Sequence, residues 1–255
     1  MNNPIDISIP LRFNGPQPNA YGVDPASAHA CEYGSLVGDT RLGGSCNFER
    51  CTFIPHCNGT HTECVGHITN ERISVIDCLK DVLIPARLVT VKTETLARSG
   101  ETYPAICGAS DSLISRALLE DAIGPNDAGD QALIVRTLPN DESKLTRLYD
   151  ESYLPPFFTT EAMRLIVEYG YRHLLVDVPS IDRIFDEGRL SNHRIFWNVD
   201  DGSVEVKTET RMNNTVTELI YVPESVADGS YVLNLQIAPF ASDAAPSRPV
   251  IFAAG

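Results

Sequence analysis

Apolar and polar residues follow one another along the chain in patterns that predict both strands and helices. Residues 5–11 alternate between apolar and polar side chains, which is the period of a half-buried strand. Two runs rich in β-branched residues, 86–91 and 132–137, predict buried strands. The same criteria predict further strands at residues 174–177, 217–222 and 231–238, and the Gly, Pro, Asn and Ser content of residues 14–46 predicts an extended loop with room for one short strand.

The clearest helix is predicted to begin at Thr159 or Thr160, since either side chain can cap it. Gly170 is expected to end this helix. An Asp-Gly pair between residues 195–199 and 203–207 predicts a β-hairpin. The mixture favours an α/β or α+β domain with a largely antiparallel β element near its end.

Composition and charge limit the classes of partner. The chain has 255 residues, of which 43% are hydrophobic and 21% charged, and no linker divides it, so we expect a single domain over residues 1–255. Lys and Arg number 20 against 34 Asp and Glu, which gives a net charge of −14 and argues against nucleic acid or a membrane surface as partner. The first residues lack the basic and apolar regions of a signal peptide, so we expect a cytoplasmic location.

Seven cysteines, an odd number without a secretion signal, predict free thiols. Four of them, Cys46, Cys51, Cys57 and Cys64, could supply the sulfurs of a structural zinc site, but their spacing lacks the close pairs typical of such sites. A redox-responsive or metal-responsive cysteine protein is another reading, and it would depend on Cys46 and Cys51.

Residues 55–67 gather side chains of the types that bind zinc and manganese. His61 and Glu63 are two positions apart, so on an extended segment they point to the same side and could hold one ion. His67 follows four positions later, near enough to reach water beside that ion without being a ligand. The cluster comprises His56, Cys57, His61, Glu63, Cys64 and His67.

The segment Gly59-Thr60-His61-x-Glu63-x-x-x-His67 resembles the metal-binding signature of the cyclase family of metal-dependent hydrolases, which includes bacterial kynurenine formamidase and isatin hydrolase. The usual form of this signature is His-x-Gly-Thr-His-x-Asp-x-Pro-x-His. Residues 5–8 resemble the family's opening strand, and residues 177–182 resemble its Asp-Thr-Pro-Ser-x-Asp segment. His193 and Glu218 match a later metal histidine and a metal glutamate.

The resemblance implies a single-domain α/β protein with a swivelling-type β/β/α fold and a mixed, partly barrel-like sheet. It implies that His61, Glu63, His193 and Glu218 bind a divalent metal, zinc or manganese, and that His67 transfers protons. It also implies a homodimer or homotetramer with active sites near the interface.

The sequence departs from the signature at three positions. Glu63 stands where Asp is usual, and Val65 stands where Pro is usual. The first histidine of the signature falls on Cys57, with His56 one position before it. Either a one-residue bulge gives the role of first ligand to His56, or Cys57 has taken it, or the position is vacant. We favour His56, since imidazole is the family's ligand type and Gly59 provides the flexibility for a bulge.

The expected function is hydrolysis of a carbon–nitrogen bond in a small molecule, namely a formamide, amide or lactam, with the arylformamidases of tryptophan catabolism as the reference. Asp177 or Asp182 is expected to orient a metal histidine, although Asp177 could instead cap the next turn. Residues 153–158 are a candidate aromatic wall for the substrate, or else part of the core. The alternative is a family member that binds a metal or a small ligand without turnover.

Overall fold

The computed structural model describes residues 3–124 and 129–254. Within these ranges the helices are α1 (Pro55–Asn58), α2 (Val75–Cys78), α3 (Leu96–Ser99), α4 (Arg116–Ile123), α5 (Thr160–Glu168) and α6 (Ser191–Trp197), with 3₁₀ turns at Thr40–Leu42, Val65–His67 and Glu142–Thr146. The strands are β1 (Ile5–Asp6), β2 (Asn19–Ala20), β3 (Ser27–Ala30), β4 (Glu32–Tyr33), β5 (Leu36–Val37), β6 (Glu49–Thr52), β7 (His61–Glu63), β8 (Leu83–Lys92), β9 (Glu94–Thr95), β10 (Ser112–Ile114), β11 (Ala132–Leu138), β12 (Leu148–Tyr149), β13 (Phe157–Phe158), β14 (His173–Val176), β15 (Thr215–Glu218), β16 (Gly229–Ile237) and β17 (Ala244–Ala253).

The main sheet is mixed and closes on itself. Its strands run in the order β17-β16-β8-β11-β14-β15-β7, and β7 pairs again with β17, so that seven strands form a barrel with β1 added at β17. The pairs among β8, β11, β14 and β15 are parallel, whereas the pairs involving β7, β16 or β17 are antiparallel. The mixed, barrel-like sheet implied by the resemblance is therefore confirmed.

Alternation along the central strands divides the apolar side chains between two cores. On β11, Leu133 and Val135 pack with helices α4, α5 and α6 on the outer face. Ile134 points the other way, into a cluster with Leu88 and Leu233 inside the sheet. Because both faces of β11 and β14 are covered, these strands are almost entirely apolar, as is usual for parallel strands between layers.

Several predicted elements match the structure. The runs at 86–91 and 132–137 lie within β8 and β11, and the runs at 174–177 and 231–238 largely coincide with β14 and β16. Helix α5 begins after Thr159, whose side chain accepts a hydrogen bond from the backbone N–H of Ala162. The predicted strand at 217–222 is shifted to β15, because Leu219 has a positive φ of 55° and ends the strand.

Three predictions from the pattern are wrong. Residues 195–199 and 203–207 do not form a hairpin: the turn at Gly202 exists, but α6 precedes it and an irregular segment follows it. Residues 14–46 contain β2, β3, β4 and β5 rather than at most one strand. Residues 5–11 form only β1, followed by an isolated bridge between Ser8 and Ile220, because the chain leaves the edge of β17 early.

The six helices of the described ranges are all too short to cross a membrane.

Candidate metal centre and active site

The short strand β7 lies where the barrel closes and carries two of the predicted ligands. It is hydrogen-bonded to β15 on one side and to β17 on the other, and His61 is the register partner of Glu218 on β15. His61 and Glu63 point to one face, while Thr62 between them points to the opposite face and contacts the Thr217 hydroxyl at 2.8 Å. Closure of the sheet therefore brings His61, Glu63 and Glu218 into one buried site.

The orientation of His61 leaves one ring nitrogen without a hydrogen-bond partner. Its Nδ1 lies 3.0 Å from the carbonyl oxygen of Gly59, which can only accept, so Nδ1 carries the proton. In the neutral ring Nε2 is therefore the acceptor, and it lies 3.4 Å from Glu218 Oε2 and makes no hydrogen bond with any described residue. The other carboxylate oxygen of Glu218 accepts the N–H of Ile181 at 2.9 Å, which fixes this acceptor opposite His61. His61 Nε2 and Glu218 Oε2 are thus two buried acceptors that face each other, and a cation between them would satisfy both.

His193 reaches the same site from helix α6. Its Nδ1 lies 2.5 Å from Asp182 Oδ2, and its Nε2 lies 2.8 Å from Glu63 Oε1 and 3.8 Å from Glu218 Oε1. Asp182 in turn accepts hydrogen bonds from the Tyr103 hydroxyl and from the backbone N–H of Asn192. A carboxylate on the outer ring nitrogen orients the ring and directs the other nitrogen inward, which is the usual arrangement behind a metal-binding histidine.

Asp182 also explains why the chain is helical at residues 191–197. Leu190 occupies the N-cap position of α6 and makes no side-chain cap, so the sequence offers no local signal for a helix start. The cap comes instead from Asp182, whose carboxylate accepts the N–H groups of Asn192 and His193 in the first turn. The same carboxylate thus starts the helix and orients the histidine that the helix carries.

Two further histidines, His56 and His67, stack beside Glu63 with ring centroids 4.2 Å apart. His56 Nδ1 lies 2.9 Å from Glu63 Oε2, and His67 Nε2 lies 3.9 Å from the same oxygen. Their other ring nitrogens both face Asp243 Oδ2, at 2.9 Å from His56 Nε2 and 3.5 Å from His67 Nδ1.

The 3₁₀ turn that carries His67 packs so closely on the backbone of Ile73 that a Cβ at Gly66 would collide with the Ile73 carbonyl oxygen.

Carboxylates and imidazoles alternate in the cluster, and each shifts the pKa of its neighbours. Burial disfavours the charged form of Glu63, but the neighbouring His67 and His193 outweigh it and hold the pKa of Glu63 well below its usual value. Burial likewise disfavours the imidazolium of His193, yet Glu63 and Asp182 hold the pKa of His193 well above its usual value. Hydrogen bonds with Asp243 and Glu63 overcome burial and raise the pKa of His56 to about 10. In the absence of metal, protons on His56 and His193 compensate the buried carboxylates.

The donor set fits a divalent transition metal. Three groups, each with ligand atoms within 4.8 Å of one another, occur in the described ranges: His56, His61 and Glu63; His56, His67 and Asp243; and Glu63, His67 and His193. Imidazole and carboxylate ligands suit zinc and manganese. No Lys or Arg side chain of the described residues contacts Glu63 or Glu218. The neighbours of these two carboxylates are histidine rings and, for Glu218, the backbone N–H of Ile181.

The two candidates for the first position of the signature have different neighbours, although both line the same cavity. Both lie in helix α1, so the predicted extended segment with a bulge is wrong, and a helical turn sets the directions of the side chains. His56 contacts Glu63, whereas Cys57 packs in an apolar cluster with Ile9 and Leu219 and belongs to none of the three groups. Burial, with Glu218 nearby, raises the pKa of the Cys57 thiol in the metal-free site to about 11.

A cavity of about 670 Å³ opens onto His56, His67 and His193 and onto Glu63 and Glu218. Its apolar wall includes Tyr21 and Phe185, whose rings meet edge to face at 6.2 Å, together with Ile184 and Leu190. None of residues 153–158 lines this cavity, and of the two roles predicted for them the role in the core holds for the phenylalanine pair. Phe157 and Phe158 are buried in the core, and Tyr153 and Leu154 line a separate, smaller cavity.

The remaining sequence candidates lie elsewhere. Asp177 forms a buried ion pair with Lys144 at 2.7 Å and accepts from Thr137, so Asp182 is the acid that orients a site histidine. Cys46 and Cys51 are exposed and Cys57 and Cys64 are buried, all as free thiols, and none belongs to the metal-ligand groups of the described ranges.

Several residues that line or contact the site were missed from the sequence, among them Asp243 and Tyr21. Asp243 precedes β17 in a polar loop, and Tyr21, with a positive φ of 64°, follows β2. Neither lies in a motif, and both arrive through contacts between distant parts of the chain.

Comparison with known proteins gives the family and the fold of this chain. The sequence profile of the family described as "Putative cyclase" matches residues 5–183, and the chain belongs to this family. Similar solved structures include a predicted metal-dependent hydrolase from Bacillus stearothermophilus, with 16% identity, 98% of this chain and 97% of that chain covered, and a TM-score of 0.59. Isatin hydrolase A from Ralstonia solanacearum is 14% identical, with 98% and 91% coverage and a TM-score of 0.59.

An isatin hydrolase bound to the product analogue thioisatinate is also 14% identical, with 98% and 91% coverage and a TM-score of 0.60. Among curated proteins no match was found. The protein thus has the fold of the cyclase-family metal-dependent hydrolases.

Proposed function

We propose that this protein is a metal-dependent hydrolase that opens a carbon–nitrogen bond in a small formamide, amide or lactam. The observation that carries the proposal is the unpartnered Nε2 of His61, which faces a fixed oxygen of Glu218 in a buried site. Membership of the cyclase family and the fold shared with isatin hydrolases support the same conclusion.

In this proposal His61, Glu63, His193 and Glu218 hold the metal, and His56 rather than Cys57 provides the ligand of the first signature position. Zinc and manganese are the candidate ions. A divalent ion at such a site supplies Lewis acidity, which polarises a carbonyl and lowers the pKa of water towards about 7. Glu63 replaces the usual Asp, and its longer side chain reaches between His56 and His193.

His67 is the proposed acid–base residue. Its ring lies at the cavity, and its Nε2 is 3.9 Å from Glu63, farther than His56 or His193, which leaves it free to contact a reacting molecule. His67 would take the proton from the attacking water and return it to the leaving nitrogen, which departs poorly as an anion.

The cavity supports a substrate with a planar apolar part. Tyr21 and Phe185 offer ring faces and edges at its mouth, so an aryl formamide or a ring-fused lactam would pack there. An arylformamidase-like activity is the specific form of the proposal. We also propose a homodimer or homotetramer and a cytoplasmic location, with the net charge of −14 arguing against nucleic acid or membrane partners.

The test is removal and return of the metal. We expect dialysis against a chelator to abolish hydrolysis of formanilide and isatin, and stoichiometric zinc or manganese to restore it, while N-cyclohexylformamide, which lacks the aromatic ring, is a poorer substrate. Full activity in the metal-free protein would refute the mechanism.

The alternative function is binding of a metal or a small ligand without turnover. The replacement of Asp by Glu63 and of Pro by Val65 in the signature favours it. Stoichiometric metal binding without hydrolysis of any compound in a panel of formamides, amides and lactams would support this alternative.

A further inference from the structure

Asp243 lies at a position that no motif singles out and contacts two of the site histidines at once. Its Oδ2 is 2.9 Å from His56 Nε2 and 3.5 Å from His67 Nδ1, and its Oδ1 accepts the hydroxyl of Ser242 at 3.1 Å. Asp243 is adjacent to Ala244, the register partner of Glu63, so the pairing of β17 with β7 sets its place beside the site.

The backbone around Asp243 is held firmly. The carbonyl of Asp243 accepts the N–H of Cys64 at 3.0 Å, and the carbonyl of Ser242 accepts the N–H of Val75 at 2.8 Å. The carboxylate is therefore presented by an anchored segment, which is the condition for orienting other side chains.

The two nitrogens of each histidine face different carboxylates. In His56 one nitrogen faces Glu63 and the other faces Asp243, and the same holds for His67. A carboxylate accepts hydrogen bonds, so Asp243 selects a proton on Nε2 of His56 and on Nδ1 of His67. In the metal-free site Glu63 accepts from the opposite nitrogen of His56, and a metal bound on that side would take the lone pair of this nitrogen while Asp243 keeps the proton on Nε2.

We propose that Asp243 is a positioning residue that orients both His56 and His67, so that one ring binds the metal and the other exchanges protons with the substrate. This inference rests on the proposed function. A direct metal ligand is the competing role, because His56, His67 and Asp243 also form one of the three candidate groups. Orientation is favoured because the unpartnered nitrogen of the cluster, His61 Nε2, lies on the side of Glu218 and not on that of Asp243.

The experiment compares Asp243→Ala and Asp243→Asn with wild type, and uses Asp121→Asn, on an exposed position of α4, as a control for the loss of a carboxylate. We expect Asp243→Ala to bind the same number of zinc ions with about 10- to 100-fold weaker affinity, measured by competition with a chromophoric chelator. Asp243→Asn keeps an oxygen acceptor and should recover part of this loss.

Proton-detected ¹⁵N NMR of the zinc-loaded protein reports the positions of the ring protons directly. In wild type we expect slowly exchanging ring N–H signals from His56 Nε2 and His67 Nδ1, which broaden or disappear in Asp243→Ala and persist in Asp121→Asn. Loss of one whole zinc equivalent in Asp243→Ala, or unchanged ring N–H signals and unchanged zinc affinity, would overturn the proposal.

These readouts do not depend on turnover. If the zinc and NMR results hold but no amide is hydrolysed, the proposed function fails and the role of Asp243 stands. If amides are hydrolysed and Asp243→Ala changes neither readout, the role of Asp243 fails and the function stands.

Discussion

Replacing Asp182 with Asn is expected to weaken both the fold and the metal site. The buried carboxylate accepts four hydrogen bonds: from the Tyr103 hydroxyl at 2.6 Å, from the N–H of Asn192 at 2.7 Å, and from the ring Nδ1 and the backbone N–H of His193 at 2.5 and 3.2 Å. An amide keeps only one of the two oxygens. In either orientation its NH₂ group therefore faces buried donors.

The size of the effect follows from these contacts. Two donors lose their acceptor, and each unsatisfied buried donor costs about 1–3 kcal/mol, so the free energy of unfolding of the metal-free protein should fall by about 2–6 kcal/mol. The same change releases the ring of His193, and the loss of such an outer carboxylate typically costs about 10- to 100-fold in metal affinity.

Chemical denaturation of the metal-free protein and competitive zinc titration measure the two effects separately. Asp186→Asn is the matched control: Asp186 accepts the N–H groups of Gly188 and Leu190 and lies 3.1 Å from the Tyr103 hydroxyl, which donates to Asp182, and it makes no hydrogen bond to His193. It should lower stability and leave zinc affinity within about threefold of wild type. An Asp182→Asn protein with wild-type zinc affinity would refute the role assigned to Asp182.

Four further predictions address the site and the fold. His67→Ala should keep its metal by elemental analysis but lose about 10²–10⁴-fold in kcat, and loss of the metal would make His67 a ligand instead. His56→Ala should lose metal affinity while Cys57→Ala keeps it, and the reverse result would assign the first ligand to Cys57. Lys144→Met should lower the free energy of unfolding by about 3–5 kcal/mol, because it leaves Asp177 charged and buried, and adding Asp177→Asn should recover part of the loss in denaturant titrations. Burial lowers the pKa of His173 below 6.5 in the folded protein. The stability that the neutral ring contributes is therefore complete above pH 6.5 and is lost as the pH falls towards the folded pKa. His173→Gln should flatten the decline in the free energy of unfolding between about pH 7 and 5, and an unchanged slope would contradict this.

The local sequence pattern was sufficient to predict those strands and the helix whose apolar faces and capping residues lie within or next to the element itself. The apolar run of β11 is buried on both faces. Helix α5 has its capping residue, Thr159, directly before its first residue. The signature on β7 was readable because His61 and Glu63 are two residues apart on a strand.

The remaining features depend on contacts that no local pattern contains. Helix α6 was missed because its cap, Asp182, precedes its first residue by nine positions. Asp243 was missed because it reaches His56 only when the barrel closes between β7 and β17, across 187 positions of sequence. Cys57 matched the signature by register, but the helical turn of α1 directs His56 towards Glu63 instead.

Anomalous scattering from a crystal of the zinc-loaded protein tests the central claim most directly. The account predicts a zinc peak at about 2.0–2.2 Å from the Nε2 of His61, with oxygens of Glu63 and Glu218, the Nε2 of His193 and the Nδ1 of His56 among the ligands of the bound zinc. A zinc peak bound to cysteine sulfur, or fully loaded and active protein without zinc at His61, would contradict it.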